Sequence, residues 1–339
     1  MAFFSLTGAK IIASAVTLGT ELHIFAEEPE YYDHDPALLK RLQKQIGFGQ
    51  RYIATKKITT ADLCLDATTR LLTELNLKPQ ALGAIISVTQ TPTYIMPGNA
   101  HLLHGRLGLN CEAPAFDLEM GCSGFIYGLA QAALLCAHGL DKILLVVGDT
   151  LSHCADPKDR TTGPLFGDAG SAILIGQDPE NHPLNFLLRS DGRGLDKMYL
   201  KRQEPTETQP PTIFMDGFGI FTFTMTEQSQ AINDLLHLAK KTLPEMDYVI
   251  LHQANEYIVQ TITSKMHLTQ DKAPAGVFSR YGNLNGASIP AALGLIGQDL
   301  ATKTSQALLQ GFGIGLSWGG CQLTLDHPLC LEPTPLEEH

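Results

Sequence analysis

The stretch Asp117-Leu-Glu-Met-Gly-Cys122-Ser-Gly-Phe-Ile-Tyr-Gly-Leu-Ala-Gln-Ala-Ala-Leu-Leu135 reads as a strand end, a tight turn and an amphipathic helix. The run from Ala113 to Met120 is short and mostly apolar. Gly121 and Gly124 bracket Cys122, so backbone can come close to whatever the sulfur meets. From Phe125 the apolar residues recur at three- and four-residue spacing, through Leu129, Ala132 and Ala133. Cys122 is therefore expected at a helix N-terminus, where unsatisfied N–H groups and the helix dipole favour the nucleophilic thiolate. The plain alternative is a small core hydrophobe, since cysteine is among the most buried residue types. Partners elsewhere in the chain decide between the two.

Strands and helices alternate on both sides of this unit. Residues 8–18 read as a first strand, and Asp35-Pro36 as an N-cap and first helical position before an apolar stripe of Leu38, Leu39, Leu42 and Ile46. Thr59 and Asp62 form a capping-box variant opening a helix to about Asn76. Residues 81–90, 142–148 and 171–176 read as buried strands, and Pro97-Gly98 opens a helix through Gly105. The pattern implies an α/β fold with a mostly parallel sheet. Residues 190–216 are rich in Pro, Gly, Thr and charge and read as a long surface excursion. Beyond it the plan repeats: a helix around Glu227–Leu243, a strand Asp247–Leu251, and a second glycine-turn-to-helix unit from Gly282. Residues 307–325 read as two β segments joined by a glycine-dense turn, and the Pro- and Glu-rich tail after Asp326 as frayed. The two halves, residues 1–180 and 181–339, look like copies of one architecture.

Composition narrows the function. The chain has 339 residues, 44% hydrophobic and 17% charged, enough for two domains or one duplicated domain. No run approaches the roughly 18 apolar residues of a membrane span, and no signal peptide is apparent at the N-terminus. Seven cysteines without C-x-x-C spacing speak against a disulfide scaffold or a zinc site and suit a reducing cytoplasm. A net charge of −11 argues against nonspecific nucleic-acid binding. Against that background, residues 36–61 carry Lys40, Arg41, Lys44, Arg51, Lys56 and Lys57 and no acidic residue. The segment is either a solvated helix face or a landing site for phosphate or an acidic carrier.

Three polar spots follow apolar strands or open helices: Cys122, His252 in Leu-His-Gln-Ala-Asn, and Asn283 in Tyr-Gly-Asn-Leu-Asn-Gly-Ala-Ser. Open α/β sheets place active sites at such strand ends. A cysteine with a histidine and an asparagine can make an activated nucleophile with its orienting groups. Equally, His252 can be a satisfied helix-start histidine and Asn283 a turn residue beside Gly282.

Gly121-Cys122-Ser-Gly-Phe, His252-Gln-Ala-Asn255, Gly282-Asn283 and Gly311-Phe-Gly-Ile-Gly-Leu-Ser-Trp-Gly319, in this order, resemble the 3-oxoacyl-(acyl-carrier-protein) synthase III family of the thiolase superfamily. Asp156-Pro-Lys-Asp-Arg160, Phe166-Gly-Asp168 and Met215-Asp-Gly217 extend the resemblance over nearly the whole chain. It implies a five-layered αβαβα thiolase fold of two similar halves. It also implies an acyl group carried on Cys122, with His252 and Asn283 hydrogen-bonding the thioester carbonyl of a malonyl group on acyl carrier protein. The backbone N–H groups of Cys122 and Ile314 would form the oxyanion hole. Phe312 and Asn255 would line the substrate site, and Met96 would reach across a homodimer interface into the partner's acyl pocket. No metal or cofactor is implied beyond acyl-CoA or carrier-protein thioesters.

The pattern also departs from the family. The tunnel-mouth tryptophan and arginine of acyl-CoA-primed members fall on or near Arg41 and Gln45, and a second CoA-binding arginine falls on His153. These losses weigh against acyl-CoA priming. Glu256, Tyr257 and Ser264 replace basic residues on the carrier-facing helix, leaving Lys265, which moves the expected carrier docking toward residues 40–57 or toward a specialised carrier. The expectation is a homologue serving a secondary pathway. Alternatives are transfer of the acyl group to an oxygen, nitrogen or sulfur nucleophile without condensation, and a carrier-binding scaffold. Cys321, after the glycine turn, reads as a core cysteine rather than a second catalytic thiol.

Overall fold

Two mixed sheets hold the molecule, whose computed structural model describes residues 2–32, 34–202 and 212–337. The first sheet runs Leu329–Cys330, Ala9–Leu18, Ala169–Gln177, Ile143–Asp149, Ala84–Val88, Ala115–Leu118. The second runs Ala2–Leu6, Leu184–Ser190, Ser317–Asp326, Thr304–Gly313, Tyr248–Leu251. Parallel pairing is confined to part of each sheet, which corrects the mostly parallel expectation. Ile143–Asp149, Ala84–Val88 and Ala115–Leu118 run parallel, while Ala169–Gln177 is antiparallel to both its neighbours. Thr304–Gly313 and Ser317–Asp326 are joined by three residues, a connection only antiparallel strands permit.

The central strands are buried on both faces, which is why they read as apolar runs rather than alternations. Ile143, Leu145 and Val147 pack to one side of their strand and Leu144 and Val146 to the other. On the outer side of the first sheet lie helices Thr60–Glu74 and Asn99–Leu107. Between the sheets lie Gly124–Ala137 and Ser288–Leu295, in a core that includes Phe125, Leu129, Ile289 and Leu293. Outside the second sheet lie Gly217–Leu238 and Glu256–Lys265. The order is therefore helix, sheet, helix, sheet, helix.

The local signals at helix starts hold: Asp35 Oδ1 accepts from the N–H groups of Ala37 and Leu38, and Thr59 and Asp62 form a full capping box. Four readings change. The helix expected at Glu227–Leu243 spans Gly217–Leu238, because Asp216 caps it through Gly219 N–H at 2.9 Å, well before the Thr- and Phe-rich turns end. Residues 190–216 are not wholly a surface excursion: Met198 and Ile213 are buried in an apolar cluster with Phe25, Tyr32, Phe166 and Phe278. Residues 203–211 of that stretch lie outside the described residues. The tail after Asp326 is not frayed over its described length, since Leu329–Cys330 and Thr334–Pro335 pair with Ala9–Leu18. Finally, Arg51 leaves the basic landing strip, for it is buried and holds Glu28 through two hydrogen bonds of 2.6 and 3.0 Å.

The sheets also cross the division at residue 180. Ala2–Leu6 pairs with Leu184–Ser190 in the second sheet, and residues 329–335 return to the edge of the first. Among the described residues no helix is long and apolar enough to cross a membrane. Removal of residues 327–339 should lower the melting temperature by about 5 °C or more, as two edge pairings are lost. An unchanged calorimetric transition would show that the edge pairings contribute nothing.

Candidate active site

The helix Gly124–Ala137 lies between the two sheets and is apolar on most of its surface, with Gln131 exposed, and that burial sets where Cys122 sits. The turn before the helix is tied to the C-terminal hairpin by a 2.6 Å hydrogen bond between Ser123 Oγ and Ser317 Oγ. The same hairpin directs the backbone N–H of Ile314 at the Cys122 sulfur. Glycine is needed for this approach: a Cβ at position 311 would lie 2.9 Å from Ser123 Cα, and one at 313 only 2.8 Å from Cys122 Sγ. Burial pushes the Cys122 thiol up to about 12, against hydrogen bonds from the N–H groups of Ile314 and Cys122 itself. The sequence argument that helix position favours the thiolate is thus overridden in this state by desolvation.

His252 follows the strand Tyr248–Leu251, and its N–H donates to Gln310 O at 2.8 Å. Nδ1 lies 2.6 Å from Ser288 Oγ, and the ring meets Phe312 edge-on at 5.4 Å between centroids. Nε2 is buried with no hydrogen-bond partner among the described residues. Burial pushes the imidazole down to about 3, with the Asn285 backbone carbonyl opposing, so the ring is neutral at physiological pH.

Asn283 is fixed by its own backbone: its N–H donates to Leu165 O at 2.9 Å, and its carbonyl accepts from Gly167 N–H at 3.2 Å. Its Oδ1 accepts from Asn285 N–H at 2.9 Å, which leaves the amide nitrogen as the end available to donate.

These three side chains line one cavity of about 320 Å³, within the size range of small-molecule sites. Cys122, His252, Asn283 and Phe312 are its buried floor, and Arg160, Thr161 and Gly217 its exposed rim. Asn255 and Ile314 also line it, and Asn255 Oδ1 caps the helix Glu256–Lys265 through Ile258 N–H at 2.8 Å. Met96 does not reach this cavity; it is 82% exposed on a tip with Tyr94 and Ile95. His153 is elsewhere too, with Nε2 2.9 Å from Ala54 O, in a separate surface cleft. The cation the structure sets at the rim is Arg160, in the Asp156–Arg160 motif. Arg41 and Gln45 are exposed on the helix Pro36–Ile46, which contributes Ile46 to the cavity wall. Cys321 is fully buried between the layers, far from solvent, with its thiol pushed well up by burial.

Sequence reasoning missed Ser288, Asn285 and Asp149. Ser288 and Asn285 stand within the Gly282 turn but carry no periodic signal. Asp149 is the polar end of a buried strand, Ile143–Asp149, and an acid in that place was the available clue. Burial pushes its carboxyl up to about 6, against hydrogen bonds from Gln90, Thr89, Thr91 and Asn285.

Two mixed sheets with a cysteine-headed helix between them define a thiolase-like protein. Family models described as 3-oxoacyl-[acyl-carrier-protein (ACP)] synthase III, and as its C-terminal domain, match residues 116–192 and 236–325. A putative 3-oxoacyl-[acyl-carrier-protein] synthase 3 from Campylobacter jejuni is 35% identical over 86% of this chain and 86% of its own length. A beta-ketoacyl-[acyl-carrier-protein] synthase III from Streptococcus gordonii is 35% identical over 84% of this chain and 90% of its own. The crystal structure of a 3-oxoacyl-(acyl-carrier protein) synthase from Burkholderia xenovorans superposes with a TM-score of 0.92 at 28% identity, covering 98% of this chain and 99% of that one. The chain belongs to the 3-oxoacyl-[acyl-carrier-protein] synthase III family and is an acyltransferase.

A thiol held at a pKa of about 12 is protonated at neutral pH. Alkylation of Cys122 by iodoacetamide should therefore rise about tenfold per pH unit from pH 7 to 9 without a plateau. A plateau near pH 7 in intact-mass kinetics would mean the resting sulfur is a thiolate. Gly313→Ala, by crowding that sulfur, should slow alkylation about tenfold or more at constant pH.

Proposed function

We propose that the protein is a condensing enzyme that carries an acyl group on Cys122 and joins it to a malonyl group on acyl carrier protein. The observation that carries this reading is the convergence of Cys122, His252 and Asn283 on one cavity, with the Ile314 N–H aimed at the sulfur. In the first step Cys122 sulfur attacks the acyl thioester carbonyl, and the oxyanion lies within reach of the N–H groups of Cys122 and Ile314. The donor thiol leaves with the proton that Cys122 gives up. In the second step the malonyl thioester loses carbon dioxide, and the electron pair becomes an enolate. His252 and Asn283 donate hydrogen bonds to the enolate oxygen. In the tautomer where the Ser288 hydroxyl donates to Nδ1, the neutral ring carries its proton on Nε2, the nitrogen left for substrate. The enolate carbon attacks the acyl-cysteine, a carbon–carbon bond forms, and the carbon–sulfur bond breaks. The thiolate then takes up a proton, leaving a 3-oxoacyl carrier protein.

A neutral histidine suits this role: a donor is needed without a competing proton transfer, and burial supplies it. A transferase acting on an alcohol or amine would need a base, and an imidazole that burial pushes down to about 3 is a weak one, which favours the donor role. No metal or redox cofactor enters the sequence of steps. Arg160 at the rim suits the phosphate of a pantetheine arm, which softens the case against acyl-CoA made from Arg41, Gln45 and His153. The reading includes a homodimer, for the exposed Tyr94, Ile95 and Met96 form an apolar tip fit to be covered. It also includes a cytoplasmic setting, where seven cysteines stay free.

Intact mass after incubation with acyl-CoA and acyl carrier protein panels tests the first step. A mass gain is expected in the wild type and none in Cys122→Ala. His252→Ala and Asn283→Ala should still load acyl groups yet condense with malonyl carrier protein about a hundredfold more slowly. A loaded enzyme that waits for an alcohol or amine would instead establish simple transfer.

A further inference from the structure

One residue touches both enolate donors. Asn285 N–H donates to Asn283 Oδ1 at 2.9 Å, and the Asn285 backbone carbonyl faces the His252 imidazole. Its φ of 51° places it in the left-handed region, which lets its two backbone groups serve neighbouring side chains within one tight turn. Its side chain is itself held, as Nδ2 donates to Asp149 Oδ2 at 2.5 Å.

Asp149 is buried and does more than hold Asn285. Its Oδ1 accepts from Gln90 N–H at 2.7 Å, Thr91 N–H at 3.1 Å, and the hydroxyls of Thr89 and Thr91 at 3.0 Å each. Gln90 in turn packs on the turn before Cys122: a Cβ at Gly121 would come within 2.4 Å of Gln90 Oε1. One carboxylate thus joins the end of the strand Ala84–Val88 to the Gly282 turn. Only an anionic acceptor, with no proton of its own, satisfies five donors at once. The polar contacts are with neutral groups, so the carboxylate is not consumed in an ion pair.

We propose that Asp149, acting through Asn285, is a positioning residue that sets the Asn283 amide and the His252 imidazole at the distance the enolate requires. The proposal rests on the condensation reading above. It predicts a selective defect, because acyl loading on Cys122 uses the N–H groups of Cys122 and Ile314 and not these donors.

The test is Asn285→Gly, which keeps the backbone N–H and C=O, tolerates the positive φ and cuts the tie to Asp149. Acyl loading should stay within about threefold of wild type, while condensation of the preloaded enzyme with malonyl carrier protein should fall about ten- to a hundredfold, a misplacement effect. The fall should appear in the maximal rate of condensation more than in the malonyl-carrier KM. Asp149→Asn should slow condensation by the same order and lower the melting temperature; its loading is not the selective readout, because the Asp149 charge also bears on the Cys122 thiol. Condensation at the wild-type rate in Asn285→Gly, or an equal loss in both half-reactions, would overturn the proposal. His252→Ala and Asn283→Ala, run in parallel, separate the two ideas. If they condense normally the catalytic reading has failed; if they do not and Asn285→Gly does, only the positioning role has.

Discussion

The close approach of the C-terminal hairpin to the Cys122 turn is the constraint on which the site depends. Backbone at 311 and 313 presses on Cys122 and Ser123 with no room for a Cβ. Ser317 binds Ser123 Oγ and also donates to Ile314 O, so the hairpin tip is held against the turn from both sides. Everything the sulfur meets follows from that pressure. An N–H donor reaches it, little of it is exposed, and the cavity is left as its approach.

Burial then sets the resting charge state. The thiol is pushed up to about 12 and the imidazole down to about 3, so at neutral pH both are uncharged. A thiolate–imidazolium pair of the kind cysteine proteases rely on is therefore not the resting state. Ionisation has to accompany acyl transfer, when the donors around the sulfur stabilise charge that appears only then. The buried floor strengthens those donors for the same reason that it disfavours the free thiolate.

Much of this architecture was legible in the chain. The Gly-Cys-Ser-Gly turn before an apolar helix, the buried strand runs and the helix caps at Asp35 and Thr59 are local signals, and they held. What resisted reading was non-local. Strand direction in a sheet depends on connections, and one short hairpin together with two long-range pairings made much of the second sheet antiparallel. The early start of the helix Gly217–Leu238 was hidden by Thr and Phe, which favour strands, while the Asp216 cap decided otherwise. Within the site, Cys122, His252 and Asn283 stood out by residue type and strand-end position. Asp149, Asn285 and Ser288 matter through contacts spanning as many as 136 residues, which no spacing rule encodes. His153 and Arg160 lie seven positions apart by their numbering, and only the fold separates the one facing a side cleft from the one at the rim.

The strand exchange at the chain ends has a consequence for biosynthesis. Ala2–Leu6 waits for Leu184–Ser190 before it can pair, and the edge of Ala9–Leu18 waits for residues 329–335. A nascent chain on the ribosome therefore carries these two strand edges unsatisfied until the later residues emerge. Such edges are templates for pairing with other chains, so an arrested or truncated polypeptide exposes what the finished one hides. That edge of the first sheet cannot pair until residues 329–335 have emerged, so its closure follows that of the strands encoded before it.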